Sequence, residues 1–436
     1  MAQENLSSKI LPSSNVEATI HPSYPANKVT YLDHSVENIV PCKIYPESSD
    51  ISNKAPVEFV IHECSEHYID LSSIKLEVRM RLLDENAARA EVAAGDVYFT
   101  NNLLSALFPV CKVFINNTNV ESQYYAHHIS NLNHIMEIDN DLAWNRGRAS
   151  GVWPLQKAGI GPENTADMVN HNEKRKTFSK KEMVYLKGYL NIDIASSNKW
   201  LLDGTNLRII LDQSKPEQII NALVNHEAWD YEILGIRLLV NRIRPTRAAF
   251  LNTSRYLQNH SMEYIFKQHV VHSQIVAVGQ NSLTINRPFN SKIPSLFHIF
   301  FVNQNAEQGE YVKDRFFYNT NDLGMYRVTI NGHVLAEDEI EAHSEHLSVY
   351  EDSREANHSF ESFIPTELYT HGSYVISVRT NHSQPGELMF ETSGNLVVFL
   401  NFKAAIATTQ LCFIIGEFHS SYEITPEQQC LTNSSF

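Results

Sequence analysis

One short phrase occurs twice in this chain, at a spacing close to half its length. Val113 to Val120 reads Val-Phe-Ile-Asn-Asn-Thr-Asn-Val, and Val328 to Val334 reads Val-Thr-Ile-Asn-Gly-His-Val. Asn331 follows Asn116 by 331 − 116 = 215 residues in a chain of 436. Each copy is an alternating apolar strand that enters an Asn-rich tight turn and leaves it again, as in a β-hairpin. Two such hairpins at half-chain spacing predict a duplicated β domain.

Strand-like runs surround both hairpins. The cleanest, Ile74 to Leu82, alternates apolar and charged residues over nine positions, so we expect one buried face and one solvated face. Runs rich in β-branched and aromatic residues recur at 297–302, 396–402 and 411–415. No alternation of strands with long helices occurs, which argues against a parallel sheet. The pattern predicts an all-β chain of two tandem jelly-roll β-sandwiches, a double jelly roll, with long loops and a few short helices.

A chain of 436 residues is too long for one ordinary core and divides naturally into two domains of about 200 residues. We predict an extended N-terminal arm at residues 1–50, a first jelly roll at 51–248, a second at 249–425 and a C-terminal tail at 426–436. Tyr125, Ile129, Leu132 and Met136 fall at helical spacing and predict one short helix. A second helical stretch is expected from Pro216 to about residue 224.

The charge balance limits the partners of the chain. With 35 basic and 50 acidic residues, the formal charge of −15 argues against wrapping nucleic acid with the whole surface. One dense basic cluster stands out: Lys174, Arg175, Lys176, Lys180 and Lys181. It is either a solvated loop or a contact for an acidic partner such as DNA.

Five cysteines, an odd number without a repeated short spacing, favour free thiols in a reducing compartment. No apolar run approaches the roughly 18 to 20 residues of a membrane span, and the first residues are polar. We therefore expect synthesis in the cytoplasm and no membrane span.

Twenty histidines invite a search for metal sites. His62, Cys64 and His67 lie close together, and His343 and His346 have an i, i+3 spacing, but neither set has a second ligand pair at a recognisable distance. Glu337-Asp338-Glu339 is interpreted as a solvated acidic face. Sequence motifs for nucleophilic, phosphate-binding, dinucleotide-binding or zinc-protease sites are absent. We assign no catalytic, cofactor-binding or metal-binding residues and expect that the chain is not an enzyme.

A metal-dependent bicupin enzyme is the enzymatic alternative, because that fold is also a double jelly roll. Its metal site needs two histidines one residue apart on a strand, followed by a glutamate and a later histidine. No His-x-His sequence occurs in this chain, which argues against it.

Several blocks of the chain, in order, resemble the major capsid proteins of Polinton (Maverick) elements and adintoviruses. Together they cover most of residues 55 to 425, and they are Pro56–Val60, Tyr68–Leu82, Val97–Phe108, Lys112–Val120, Tyr124–Met136, Ile233–Pro245, Met325–Glu337 and Tyr369–Glu423. The arm before residue 50, the segment 139–182 and the loop 303–321 have no counterpart, so we expect them to decorate the particle or contact neighbours.

The resemblance implies a viral structural protein. Such a chain would form homotrimeric, pseudo-hexameric capsomers and build an icosahedral shell around double-stranded DNA. Its implied partners are neighbouring capsomers, a penton protein and cement proteins. The implied location is the virion, with assembly in the cytoplasm or nucleus. A host-captured double jelly roll with a binding or structural role is the alternative, distinguished by whether a packaging ATPase, a maturation protease and a minor capsid gene lie nearby.

Overall fold

The fold is described here from a computed structural model. It describes residues 35–48, 51, 55–83, 97–137, 147–153, 175–197, 199–222, 229–340, 346–357, 366–380 and 392–432.

The strands of the described residues divide at an exposed helix, α4 (Arg247–Leu257), into two groups. The first group is β1 (Val36–Ile44), β2 (Val57–Ile61), β3 (Tyr68–Leu83), β4 (Val97–Phe99), β5 (Val110–Ile115), β6 (Thr118–Tyr124), β7 (Val184–Tyr189), β8 (Leu207–Asp212), β9 (Ile220–Ala222) and β10 (Asp230–Pro245). The second group is β11 (Met262–Val276), β12 (Ser282–Asn286), β13 (Lys292–Ile293), β14 (Leu296–Asn303), β15 (Leu323–Ile330), β16 (His333–Glu339), β17 (Ile376–Arg379), β18 (Thr392–Ser393), β19 (Leu396–Phe402), β20 (Gln410–Ile424) and β21 (Cys430–Thr432).

The helices are short and lie between strands. Besides α4, the helices whose bounds lie within the described residues are α1 (Leu103–Ala106), α2 (Ala126–Glu137), α3 (Pro216–Ile219), α5 (Gln304–Gln308), α6 (Leu347–Ala356) and α7 (Thr366–Tyr369), with 3-10 turns at Gly147–Ser150 and Asp193–Ser196. Residues 175–179 are also helical. Within the described part of the chain, none is long and apolar enough to cross a membrane.

Both groups of strands have the same topology. In the first, the sheets have the orders β1-β10-β3-β7 and β2-β8-β5-β6; in the second, β11-β20-β14-β17 and β12-β19-β15-β16. When the eight strands of these sheets are ranked in chain order, both halves have sheets 1-8-3-6 and 2-7-4-5, and all pairs are antiparallel. This is the jelly-roll arrangement, so the predicted double jelly roll is confirmed.

The duplicated phrase occupies equivalent places. Hairpin β5–β6 carries Asn116-Asn117 at its turn, hairpin β15–β16 carries Asn331-Gly332, and each hairpin joins strands 4 and 5 of its sandwich. These turn residues have positive φ, a conformation that asparagine and glycine tolerate best. The local sequence therefore specifies both turns.

Each sandwich encloses its own core between two sheets. The alternation of β3 places Leu76, Val78 and Met80 inside the first core, each fully buried. The second core is built mainly from β14, β15, β19 and β20, with Phe297, Ile299 and Val398 among its buried members. Burial of each such side chain contributes about 1.5–3 kcal/mol, so both sandwiches have a substantial core.

Some predicted boundaries differ from the structure. Residues 36–44 are not part of an extended arm, because β1 pairs with β10 along its length; residues 1–34 of that arm lie outside the described residues. Residues 430–432 of the predicted tail form β21, paired with β20. The predicted joint at 248/249 falls inside α4, and the helix expected from Pro216 ends at Ile219, where β9 begins.

Candidate functional site at the junction of the two sandwiches

Helix α2 of the first sandwich packs on the outer face of the second. Its apolar stripe, predicted from the helical spacing, places Ile129, Leu132 and Met136 in a separate buried cluster. The second sandwich contributes to this cluster from β14 and β20, with Phe300 and Phe413 at its centre. As a result, β14 is buried on both faces, and its eight residues are all buried. The two sandwiches therefore share an apolar interface within one chain.

A group of buried polar side chains lies beside this interface. His127 and His128 begin α2, whereas Glu307 of α5 and Arg315 belong to the second sandwich. Arg315 Nη2 donates to Glu307 Oε1 and to His127 Nε2, each at 2.6 Å. His128 Nε2 lies 3.1 Å from Glu307 Oε2, and its Nδ1 lies 3.0 Å from the Tyr318 hydroxyl. We call these five residues the histidine–arginine cluster.

Burial determines the charge states of this cluster. It holds the pKa of His128 below its ordinary value and, together with Arg315, holds that of His127 well below it. Burial alone would raise the pKa of Glu307, but the adjacent Arg315 guanidinium holds it well below its ordinary value. The cluster thus contains one ion pair, Arg315 with Glu307, and two neutral imidazoles. A neutral His128 that donates from Nε2 can accept the Tyr318 hydroxyl at Nδ1.

The same residues include a possible metal-ligand set. Ligand atoms of His127, His128 and Glu307 lie within 4.8 Å of one another, the only such group among the described residues. Arg315 already donates to two of these three residues and is 2% exposed. A divalent cation beside this guanidinium would place like charges together in a buried site. The arrangement therefore fits a structural ion pair better than a metal centre.

A second charged contact crosses the junction at Arg175. This residue of the predicted basic cluster is 2% exposed, donates to Asp314 Oδ2 at 3.2 Å and lies over the ring of Tyr98. Lys180 is also buried, Lys176 is half-buried, Lys181 is exposed, and Lys174 lies outside the described residues. The solvated-loop interpretation is therefore wrong for Arg175, which joins the first sandwich to the second.

A third contact surrounds Asp193, at the start of a 3-10 turn of the first sandwich. Its Oδ1 accepts from His269 Nδ1 at 2.6 Å, and its Oδ2 accepts from the His269 backbone N–H at 2.7 Å. Glu121 of β6 accepts from the backbone N–H groups of Asp193 and Ile194 at 2.8 and 3.0 Å. Burial and the nearby Asp193 raise the pKa of Glu121, to about 8. Burial opposes protonation of His269, but Asp193 raises its pKa to about 9.

The first duplicated hairpin also lies against the second sandwich. Asn116 Nδ2 donates to the carbonyl oxygen of Gln428 at 2.7 Å, and Thr118 Oγ1 donates to that of Cys430 at 3.1 Å. Hairpin β5–β6, helix α2 and the turn at Asp193 therefore form one continuous docking surface of the first sandwich.

The residues considered from sequence as metal ligands do not form such a site among the described residues. Cys64 Sγ lies 3.6 Å from His67 Nδ1, which lies 2.9 Å from the Ser65 carbonyl oxygen; His62 is exposed. His346 contacts the hydroxyl of Tyr374, and His343 lies outside the described residues. All five cysteines, Cys42, Cys64, Cys111, Cys412 and Cys430, are free thiols.

The acidic run lies in a strand rather than a loop. Glu337, Asp338 and Glu339 end β16, an edge strand of the second sandwich, and the first and last of them are exposed. Glu337 and Glu339 are solvated as expected, whereas Asp338 is half-buried and accepts from Ser348 Oγ at 2.5 Å.

Comparisons with known proteins extend these findings. No protein-family model and no curated protein matches the sequence. Solved structures match it over nearly its whole length. A chain of the Sputnik virophage cryo-EM structure is 11% identical, with a TM-score of 0.62, over 96% of this chain and 93% of its own. The Faustovirus major capsid protein is 10% identical, with a TM-score of 0.59, over 92% of each chain.

The mavirus major capsid protein gives a similar result, with 12% identity and a TM-score of 0.52 over 100% of this chain and 96% of its own. At such identities the similarity shows the fold. This chain has the double jelly-roll fold of viral major capsid proteins, so the resemblance noted from sequence is confirmed at that level.

Proposed function

We propose that this chain is the major capsid protein of a double-stranded DNA virus or virus-like element of the Polinton and adintovirus type. The chain would act by binding other copies of itself rather than by catalysis. Three chains would form a capsomer, and capsomers would tile an icosahedral shell. Penton and cement proteins are its expected further partners, and the virion its expected location.

The observation that carries this proposal is the equivalence of the two sandwiches. Both have sheets in the order 1-8-3-6 and 2-7-4-5, and buried contacts fix them side by side. Three such chains around an axis present six similar sandwiches, and a threefold ring with six similar sides can tile a hexagonal surface. The similarity of fold to the Sputnik virophage chain and to the mavirus and Faustovirus major capsid proteins supports the same assignment.

The acidic surface agrees with a shell subunit that does not condense DNA by charge. The formal charge of −15 repels phosphate at long range. The most buried residue of the basic cluster, Arg175, is engaged with Asp314. We therefore expect the genome to be enclosed without extensive contact to this chain.

Sedimentation equilibrium of the purified chain tests the proposal. The expected mass is three times 49.7 kDa, about 149 kDa, retained on dilution because obligate interfaces typically bury more than about 2,000 Å². Negative-stain microscopy should show particles of hexagonal outline, or shells. A chain that remains monomeric at high concentration and in crowding agents would exclude the proposed function.

A further inference from the structure

Strands β3 and β14 are equivalent in topology but not in environment. Each is the third strand of its sandwich. All of β14 is buried, because α2 covers its outer face. By contrast, the outer face of β3 carries Lys75, Glu77, Arg79 and Arg81, of which Arg79 is exposed. The first sandwich therefore has an uncovered sheet where the second is covered.

The elements that could cover this face lie on the surface of the second sandwich. Hairpin β5–β6 and α2 of the first sandwich dock on the second, as described above. Their counterparts in the second sandwich are hairpin β15–β16 and the following helix α6. Val334 and Leu335 of β16 are 55% and 39% exposed and place apolar surface on this edge strand. Helix α6 packs one side, with Val349 and Ser353, on its own sandwich, and its opposite side and most of β16 are exposed.

We infer that β16 and α6 of one copy of this chain dock on the outer face of strands β10, β3 and β7 of a second copy. The inference rests on the proposed function and assigns its subunit interface. Within the chain, the first sandwich docks on the second. If the second sandwich docks in the same way on the first sandwich of another copy, the contact is head-to-tail, and three chains with six sandwiches close a ring.

Charge complementarity supports the assignment. The outer face has five cations, Lys75, Arg79, Arg81, Lys187 and Arg237, against the three anions Glu77, Asp230 and Glu232, a balance of +2. Strand β16 and helix α6 have six anions, Glu337, Asp338, Glu339, Glu351, Asp352 and Glu355, against the single cation Arg354, a balance of −5. In a chain of −15, most other pairings of two copies would be repulsive.

Contacts within the chain already hold the side chains of the basic face in place. Glu77, 5% exposed, accepts from Arg237 and lies 3.2 Å from Lys187 Nζ. Burial opposes ionisation of Glu77, but hydrogen bonds from Tyr185, Arg237 and Lys187 lower its pKa to about 2. Tyr185 and Tyr189 of β7 flank this row and are 45% and 61% exposed. These rings offer apolar surface on which Val334 and Leu335 can pack. Because the face is already ordered, little further side-chain entropy is lost on binding.

A charge-reversal cycle in the full chain tests the interface. The first variant, E339K/E355K, changes two exposed acids of β16 and α6; the second, K75E/R79E, changes two cations of β3. Each alone should raise the trimer dissociation constant about 10-fold or more, and the four changes combined should restore most of the loss. The control E63K/E66K makes the same charge change on the exposed β2–β3 loop and should leave the trimer intact.

Sedimentation velocity gives the dissociation constants, and circular dichroism establishes that each variant is folded. Wild-type trimers that neither reversal weakens, or a combined variant no better than the single reversals, would overturn the assigned interface and leave the proposed function standing. A wild-type chain that is monomeric would overturn both.

Zero-length carbodiimide coupling of mixed ¹⁴N and ¹⁵N chains should also join Lys75 or Lys187 of one copy to an acid of β16 or α6 of the other.

Discussion

Asn331 holds the tight turn of the second sandwich through the same two hydrogen bonds that Asn116 makes in the first. The backbone N–H of Asn116 donates to the Asn206 carbonyl at 3.0 Å, and its Oδ1 accepts from the Asn206 N–H at 2.8 Å. Asn331 makes the equivalent bonds to Asn395 at 2.9 and 2.8 Å. Only Asn116 also reaches across the junction, to Gln428.

Alanine substitution at the two turns should therefore have unequal effects. Asn331→Ala should lower the free energy of unfolding by about 1–2 kcal/mol, because alanine loses the Oδ1 bond and tolerates the φ of 52° poorly. Asn116→Ala should cost about 1 kcal/mol more, since it also loses the bond to Gln428. Urea denaturation at fixed protein concentration measures both. Glycine variants, which relieve the strain, are the controls; equal costs at the two turns would show that the bond to Gln428 contributes nothing.

Much of this fold could be predicted from local patterns. The alternation over Ile74 to Leu82, the duplicated hairpin and the spacing of α2 are each set by neighbouring residues, and each is found in the structure. Strand β1 was missed because Val36–Ile44 has no clean alternation and contains Pro41. It is an edge strand, where proline is tolerated, and its partner β10 lies about 200 residues away in sequence.

The junction clusters could not be predicted in this way, because their partners are distant in sequence. His128 and Glu307 are 179 residues apart, and Arg175 and Asp314 are 139 residues apart. A count of local charge placed Arg175 in a basic cluster that was either solvated or bound to an acidic partner, although its partner lies in the other sandwich. One sequence feature could have indicated the histidine–arginine cluster. The adjacent residues His127 and His128 begin a helix whose apolar stripe must pack against another part of the chain.

The ion pair of Glu307 and Arg315 should be strongly coupled. Glu307→Gln or Arg315→Met leaves an unpaired charge in a buried site, which should cost about 3–5 kcal/mol of unfolding free energy. The double variant Glu307→Gln/Arg315→Met removes both charges and should cost much less than the sum of the single changes. A double-mutant cycle by urea denaturation measures this coupling, and additive costs would contradict it.

The neutral histidines of the histidine–arginine cluster should make the fold sensitive to acid. The folded-state pKa values of His127 and His128 are lowered, so below about pH 6.5 the unfolded chain binds protons that the folded chain does not. Unfolding free energy should therefore fall as the pH drops below 6.5, by up to about 1.4 kcal/mol per pH unit for each histidine. His128→Gln should reduce the slope of the unfolding free energy against pH below 6.5 by the contribution of one titrating proton. The exposed His62→Gln is the matched control, and an unchanged slope in His128→Gln would contradict the prediction.

Arg175 should contribute to stability rather than to DNA binding. Arg175→Met removes the partner of Asp314 and should lower the unfolding free energy by about 2–4 kcal/mol. Lys181→Met removes an exposed cation of the same cluster and should change stability by less than about 0.5 kcal/mol. Urea denaturation compares the two, and DNA retention by each folded variant should equal that of the wild type. A stable Arg175→Met variant with weakened DNA retention would instead favour the nucleic-acid interpretation.

The contact of Asp193 with His269 should fail at alkaline pH. The pKa of His269 is raised to about 9 in the folded chain, so its contribution to stability is fully present below about pH 6.5 and is lost as the pH rises through 9. Glu121, with its pKa raised to about 8, acts in the same direction, because its ionisation adds a second buried carboxylate beside Asp193. Glu417 and Lys267 of the second sandwich also face this group.

His269→Gln keeps a side-chain donor without the charge, so its unfolding free energy should be lower at pH 7 and should fall less steeply between pH 7 and 9. The exposed His260→Gln should give a profile parallel to that of the wild type. If His269→Gln were also parallel to the wild type, the imidazolium would have no part in holding the two sandwiches together.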